Sequence, residues 1–424
     1  MQLGKSAGWE DRMKPEMSVL IVNYNTWHDC AAAIRSLRQN PPRRKDGSAM
    51  PFEVIVVDNK SPNQDAEGIR LVREALAAVA ADHKDPLCGQ LVMHDDNAGY
   101  SKGVNLCYRR SRGQWILVSN PDLLFPKDCI SNLVRYMEAH PECGCAVPKG
   151  FWDEEFTGKL PPNTLPSMVD LLVGSIAEFC RPLRRAYGRK LVKSWLRIWE
   201  SEQPVALPMM SGCLFLVDRD YFASIGLMDE RYPLYYEDAD LSRMINRSGK
   251  KLVQVPDSKL VHFVNRSGQT DFTTMMTRHD ISRDLYFHKW YGGFGRWVHK
   301  KINQVLRSPW GQKNLRMPPD SPFVDLGATA EPPVLKFRRT DRYLLLVSLD
   351  SRFHLSGGLL GSGDHWTPSA GVFANFSPTV YWCRVFDIAG GKLEELGTWR
   401  YQCVRNPVPA PAQPVPAPAA ATVK

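Results

Sequence analysis

Four short apolar runs organise the first third of the chain: Met17–Val22, Phe52–Val57, Leu91–Met93 and Trp115–Val118. Apart from Ser18 and Glu53 each is apolar throughout rather than alternating, and each stops at polar or turn-forming residues, the pattern of a strand buried on both faces. Between them, apolar positions recur at helical spacing over about Trp27–Gln39, over Ala66–Ala81 and over a third stretch ending at Arg110. Asn25 or Thr26 stands where the first helix needs an N-cap. Strand and helix alternating through short connections predict an α/β fold, a parallel sheet covered by helices. Further along, Met209–Val217 and Lys251–Pro256 read as strands and Asp240–Ser248 as a helix, with Asp218 placed as a helix cap.

The pattern changes after about residue 312. Pro318–Pro333 reads as part of a linker, and from Asp341 the apolar and aromatic residues fall in strand-like runs, Tyr343–Val347 and Thr379–Phe386, with a hairpin across Gly390-Gly391. These predict a small all-β domain of the sandwich type, in which Trp366, Trp382 and Trp399 serve as core or as platforms for sugar rings. The division is an unpacked N-terminus over 1–16, an α/β domain with trailing amphipathic helices over 17–312, a linker over 313–340, the β domain over 341–405 and a Pro/Ala-rich extended tail over 406–424.

Candidate chemistry gathers at the strand ends. In an open α/β sheet, ligands sit in the crevice outside the carboxyl ends of the strands, and Asn23, Asp58, Asn120 and Asp122 all fall at that edge. A carboxylate at Asp58 can accept from a base N–H or a ribose hydroxyl. Asn120-Pro121-Asp122 offers two oxygen ligands on a stiffened backbone, the few, preset ligands that suit a hard divalent cation bound with phosphate oxygens; the same three residues also suit an ordinary turn. The loop Asn97–Gly103, with Gly99, can bring backbone close to a ligand. It has neither the P-loop spacing nor the dinucleotide fingerprint. Glu237, Asp238 and Asp240 follow Tyr235-Tyr236 at the start of a helix. They either balance its dipole or share a wall that raises a carboxyl pKa toward catalytic use. His262, just past a strand, is either a satisfied polar residue or a metal ligand.

Charge narrows the partners. A formal net charge of +9 over 424 residues favours anionic ones, nucleotide diphosphates or an acidic membrane surface. Nucleic acid is set aside for want of a recognisable binding motif. Two segments carry the basic excess. Ser167–Trp199 combines apolar residues at helical spacing with Arg181, Arg184, Arg185, Arg189, Lys190, Lys193 and Arg197; Arg283–Arg307 interleaves bases with aromatics. Each reads either as a segment lying on an anionic membrane or as a helix packed on the domain. No apolar run is long enough to span a bilayer. The ten cysteines lack zinc-site spacing, and a reduced, cytoplasmic protein is the simplest expectation.

Taken in order, these motifs resemble the family 2 glycosyltransferases of the GT-A fold, in their rhamnosyltransferase-like branch. The resemblance covers about residues 17–290 and rests on Val19-Leu20-Ile21-Val22-Asn23-Tyr24-Asn25, Val56-Val57-Asp58-Asn59, Asn97-Ala98-Gly99-Tyr100, Asn120-Pro121-Asp122, Asp229-Glu230-Arg231-Tyr232, Glu237-Asp238-Ala239-Asp240 and His262. It implies an inverting, metal-dependent transferase. Asp58 would read the nucleotide base, and Asn23, Asn97, Gly99 and Asn120 would line the donor site. Asp122 and His262 would hold Mg²⁺ or Mn²⁺, Asp238 would be the general base, and Tyr236, Glu237 and Asp240 would line the acceptor side. Asn120 departs from the stricter Asp-x-Asp form and removes one negative charge. The implied donor is dTDP-rhamnose or a UDP-sugar, and the acceptor a glycan or lipid-linked glycan at the inner face of the cell membrane. A non-catalytic sugar-binding protein and a sugar nucleotidyltransferase are the alternatives.

Overall fold

The computed structural model describes residues 14–263, 272–315 and 321–404. The N-terminal half is built as the hydrophobic pattern requires. Strands β1 (Met17–Asn23), β2 (Phe52–Asp58), β3 (Gly89–Met93) and β4 (Trp115–Ser119) pair in parallel in the order β3-β2-β1-β4. Helices α1 (Trp27–Gln39), α2 (Ala66–Asp82) and α3 (Tyr100–Arg110) connect them. Alternate residues of one strand enter different cores. Val19 and Ile21 meet Val54 and Val56 beneath α1 and α2, while Leu20 and Val22 meet Ile55 and Val57 beneath α3. Burial on both faces leaves these runs almost wholly apolar; the exceptions, Ser18 and Glu53, satisfy each other, the Ser18 hydroxyl donating to Glu53 Oε1 at 2.7 Å.

The sheet then changes direction. After β5 (Leu123–Leu124), α4 (Cys129–Ala139), β6 (Cys143–Phe151), β7 (Gly158–Lys159), the helical hairpin α5 (Met168–Phe179) and α6 (Arg181–Glu200), and β8 (Val205–Ala206), the chain enters β9 (Leu214–Asp218), which runs antiparallel to β4 and β6. Asp218 caps α7 (Arg219–Ser224) by accepting from the Tyr221 N–H, as its position implied. Next come α8 (Glu237–Arg247), beginning three residues before the expected helix, and β10 (Lys251–His262), which pairs with β5, β6 and β8.

The 36-residue α9 (Phe272–Arg307) is two helices joined at Gly292, whose φ of 65° and ψ of −163° are not helical. Arg296 and Arg307 of the second half pair back with Asp284 and Asp280 of the first. The aromatic face of the first half is core: Tyr286 and Phe287 are fully buried against Leu171 and Tyr232. That face is therefore unavailable to a membrane.

The stretch assigned to a linker is structured in part, a correction. It holds the end of α10 (Pro309–Leu315), β11 (Val324–Thr329) and the start of β12 (Leu335–Ser348). The sandwich is corrected too. Strands β12, β13 (Ser356–Trp366), β14 (Val380–Asp387) and β15 (Glu394–Cys403), with the short α11 (Ala370–Ala374), form one sheet in the order β11-β15-β14-β12-β13, and β13 continues it onto β7. Instead of a second sheet, α6 covers one face through Val192, Trp195 and Trp199, and the other face packs on Val372 and Phe373 of α11. Trp366 and Trp399 are core. Of the unpacked termini expected from sequence, 1–13 and 405–424 lie outside the described residues, while the Glu16 N–H donates to the Pro51 carbonyl at 2.8 Å.

Candidate active site

The crevice is built from the carboxyl ends of β1, β2 and β4, closed by the end of β10 and the first turn of α8. Parallel register places Asn23 directly beside Asp58. Asn23 Nδ2 donates to Asp58 Oδ1 at 2.8 Å, and the Ser61 hydroxyl and N–H donate to the two oxygens of the same carboxylate. Asp58 is wholly buried, with its oxygens committed to Asn23 and Ser61. In this conformation it shapes the crevice floor and does not present a free carboxylate to a ligand.

On the neighbouring rim, Asn59 Nδ2 and Arg278 of α9 both donate to Asn97 Oδ1, at 3.0 and 2.9 Å. The next turn requires glycine. Gly99 has φ +93°, and a Cβ there would lie 2.7 Å from the Pro233 carbonyl oxygen. Tyr100, in the first turn of α3, reaches Asn120 Oδ1 and the Gly212 carbonyl, each at 3.3 Å. Burial, with the carboxylates of α8 nearby, pushes its hydroxyl pKa well up, so it stays a neutral donor.

Asp122 and His262, far apart in sequence, are brought together by β5 and β10. His262 pairs with Leu123 across that antiparallel ladder, and the Phe263 N–H donates to the Asp122 carbonyl at 3.2 Å. His262 Nε2 then stands 3.3 Å from Asp122 Oδ1. The contact is ionic rather than a formed hydrogen bond, since that oxygen is buried with no hydrogen-bond partner among the described residues. Burial pushes the imidazole pKa down, but Asp122, with help from Cys213, outweighs it and raises it to about 10. An orphaned carboxylate oxygen facing an imidazole nitrogen is a donor set that fits a divalent cation. Among the described residues no third His, Cys, Asp or Glu completes a closed metal cage. The remaining ligands would come from phosphate oxygens and water, as suits Mg²⁺ or Mn²⁺.

The acidic cluster is delivered by backbone strain. Tyr235 and Tyr236 are consecutive left-handed residues, with φ of 64° and 65°, so the chain turns sharply into α8. Strain of this kind persists where surrounding structure enforces it. Asp238, half-buried, lies against Gly212, where an added Cβ would come within 3.2 Å of it. Tyr100 thus connects Asn120 to the Gly212–Asp238 wall. Burial raises the Asp238 pKa, partly offset by the N–H groups of Ala239 and Gly212. Glu237 is raised by burial and by its charged neighbour, and its Oε2 has no hydrogen-bond partner among the described residues.

Asp240 corrects the expectation of an acceptor-side role. It is buried and turned away, accepting from Trp290 Nε1 and Lys289 Nζ, each at 2.7 Å, and from the Tyr232 hydroxyl at 3.2 Å. It fastens α8 to α9. Tyr236 likewise packs its ring against Tyr286 and His279. Tyr100 belongs to the Asn97-Ala98-Gly99-Tyr100 motif, and its hydroxyl directly after Gly99 is the signal that marks it. Arg278 and Ser61 carried no comparable signal.

Residues 18–225 match the model of the family described as glycosyl transferase family 2. Over 182 residues the chain is 26% identical to the N-acetylglucosaminyl-diphospho-decaprenol L-rhamnosyltransferase of Mycobacterium tuberculosis, a span of 43% of this chain and 57% of that protein. The chain thus matches little more than half the length of that relative. It is 34% identical over 71 residues to human polypeptide N-acetylgalactosaminyltransferase 9, covering 16% of this chain and 12% of that one. Among solved structures, a mannosyltransferase from Pyrobaculum calidifontis in complex with GDP-Man and Mn²⁺ aligns over 72% of this chain and 73% of its own, with 18% identity and a TM-score of 0.41.

Proposed function

From a chain whose residues 18–225 form a family 2 glycosyltransferase domain, we propose an inverting, metal-dependent enzyme that moves a sugar from a nucleotide diphosphate to a hydroxyl of a lipid-linked or polysaccharide acceptor. One observation carries this reading: Asp122 and His262 meet at 3.3 Å, while Asp238, of raised pKa, stands on the wall that Tyr100 ties to Asn120. The donor is dTDP-rhamnose and the acceptor lipid-linked. The rhamnosyl group and the lipid-linked acceptor are supported by the named activity of the Mycobacterium tuberculosis relative. The site of action is the inner face of the cell membrane.

When bound at Asp122 and His262, Mg²⁺ or Mn²⁺ would supply positive charge to the leaving diphosphate. The chain's own residues do the rest. The Asn97–Gly99 loop, held by Asn59 and Arg278, and the Asn23–Asp58 floor position the donor. Asp238 accepts the acceptor hydroxyl's proton as the new oxygen–carbon bond forms at the anomeric carbon. The bond to the diphosphate oxygen breaks with its electron pair leaving on the nucleotide, and attack from the opposite face inverts the centre. A base raised above the ordinary carboxylate range is better matched to a hydroxyl proton near neutral pH. Glu237 borders the acceptor side.

The test is Asp238→Asn in full-length protein, with nucleotide sugar and Mn²⁺. Transfer should fall about 10²–10⁴-fold with donor affinity retained. Equal turnover in both proteins would remove Asp238 as the base. Release of inorganic diphosphate from a nucleoside triphosphate would mark a nucleotidyltransferase instead.

A further inference from the structure

The α5–α6 hairpin carries a surface that the catalytic reading does not use. Helix α5 buries Leu171 and Ala177 and turns Val169, Leu172 and Ile176 outward, exposed by 68, 43 and 57%. With Phe179 they recur at positions i, i+3, i+7 and i+10, a single stripe along the helix. At its end Phe179 packs on Trp310 of α10, ring centroids 5.1 Å apart, and Trp310 is itself 59% exposed. The stripe is a continuous row of large apolar side chains facing outward.

Beside it runs a cationic row. Helix α6 folds back along α5, where the Tyr187 hydroxyl donates to Asp170 at 3.3 Å. Its apolar face, Val192, Trp195 and Trp199, is clamped onto the C-terminal sheet. That packing fixes the rotation of α6 and leaves Arg189, Lys190, Lys193 and Arg197 exposed on the opposite side, at near-fourfold spacing. None of these four forms a salt bridge among the described residues. No helix among the described residues is long and apolar enough to cross a membrane.

Apolar side chains next to unneutralised bases suit one surface, a bilayer whose headgroups are anionic and whose acyl boundary is within a side chain's reach. An acidic protein would meet the charges and leave the stripe wet. The geometry points to the α5–α6 hairpin as a monotopic docking face for an anionic membrane, with Val169, Leu172, Ile176 and Trp310 entering the interface and Arg189, Lys190, Lys193 and Arg197 meeting the headgroups. This rests on the reading that the acceptor is lipid-linked. It assigns docking to α5–α6 rather than to the aromatic face of the first half of α9, where Tyr286 and Phe287 are buried.

Flotation of the full chain with phosphatidylglycerol–phosphatidylcholine vesicles tests it, with phosphatidylcholine vesicles as control. Binding should require the anionic lipid and weaken steeply with salt. Arg189→Gln, Lys190→Gln and Lys193→Gln together should weaken it roughly a hundredfold, about fivefold per base. Ile176→Asp, at an outward position, should weaken it independently. Hydrolysis of soluble nucleotide sugar should be unchanged in all of these. Conversely, Asp238→Asn should lose transfer and still float, so failure of the docking face and failure of the catalytic reading give different results. No flotation of the unaltered chain at low salt would overturn the assignment, as would equal flotation of the unaltered chain and both variants. A mass that rises with protein concentration and falls in Ile176→Asp would overturn it in favour of a second copy covering the stripe.

Discussion

The position of Asp240 separates a structural carboxylate from an acceptor-binding one and can be tested by substitution. Asp240→Ala leaves Trp290 Nε1 and the Tyr232 hydroxyl without their acceptor and strips one of two carboxylates from Lys289, which keeps Asp229 at 2.9 Å. Removing one partner of a buried ion pair costs about 3–5 kcal/mol. Lys289 is part-exposed and retains a partner, so the lower end applies, about 3 kcal/mol. Asp240→Asn keeps the shape and one acceptor oxygen for Trp290 and loses the charge, about 2 kcal/mol by the worth of a hydrogen bond to a charged group. With a urea dependence of about 3 kcal/mol per molar, the alanine variant should unfold about 1 M earlier. Its KM for acceptor should stay within about twofold at a temperature where it is folded, because Asp240 is buried and engaged by Trp290, Lys289 and Tyr232. An unchanged urea midpoint together with a raised acceptor KM would refute this reasoning and return Asp240 to the acceptor side.

Three further outcomes follow from the same geometry. Glu237, whose pKa is raised by burial and by Asp238, favours the folded state fully below the ordinary carboxylate range and loses that contribution as pH rises through its folded value. Glu237→Gln should therefore be more stable than the parent at pH 8, by on the order of 1 kcal/mol, with the gain vanishing near pH 4; a gain that grows on acidification would contradict it. Because Asp122 holds His262 protonated up to about pH 10, a divalent ion must displace a proton. Mn²⁺ affinity by calorimetry should rise toward tenfold per pH unit between 7 and 9, and a flat profile would place the ion elsewhere. At the seam between the two halves of the sheet, a Cβ on Gly357 would fall 1.8 Å from the Trp152 ring. Gly357→Val should cost about 1–3 kcal/mol through overpacking and speed proteolysis near β13, whereas Gly363→Ala, with open space but a φ of +120°, should show strain without undocking.

The sequence by itself determined the parallel half of the sheet and its helices, because burial on both faces writes a strand as a near-continuous apolar run and burial on one face writes a helix as a stripe. It also placed Asn23, Asp58, Asn120 and Asp122 at strand ends, since that edge is where such runs stop. Tertiary structure alone decided what those side chains do. Asp240 looked like its neighbours Glu237 and Asp238 until helical rotation turned it toward Lys289 and Trp290. Asp58 looked free until Ser61 closed on it. His262 met Asp122 only through the β5–β10 ladder, and the C-terminal strands made one sheet rather than two because α6, arriving from far earlier in the chain, supplies the cover that a second sheet would have given. Local patterns record which face of an element is buried. They carry no record of what, from elsewhere in the chain, buries it.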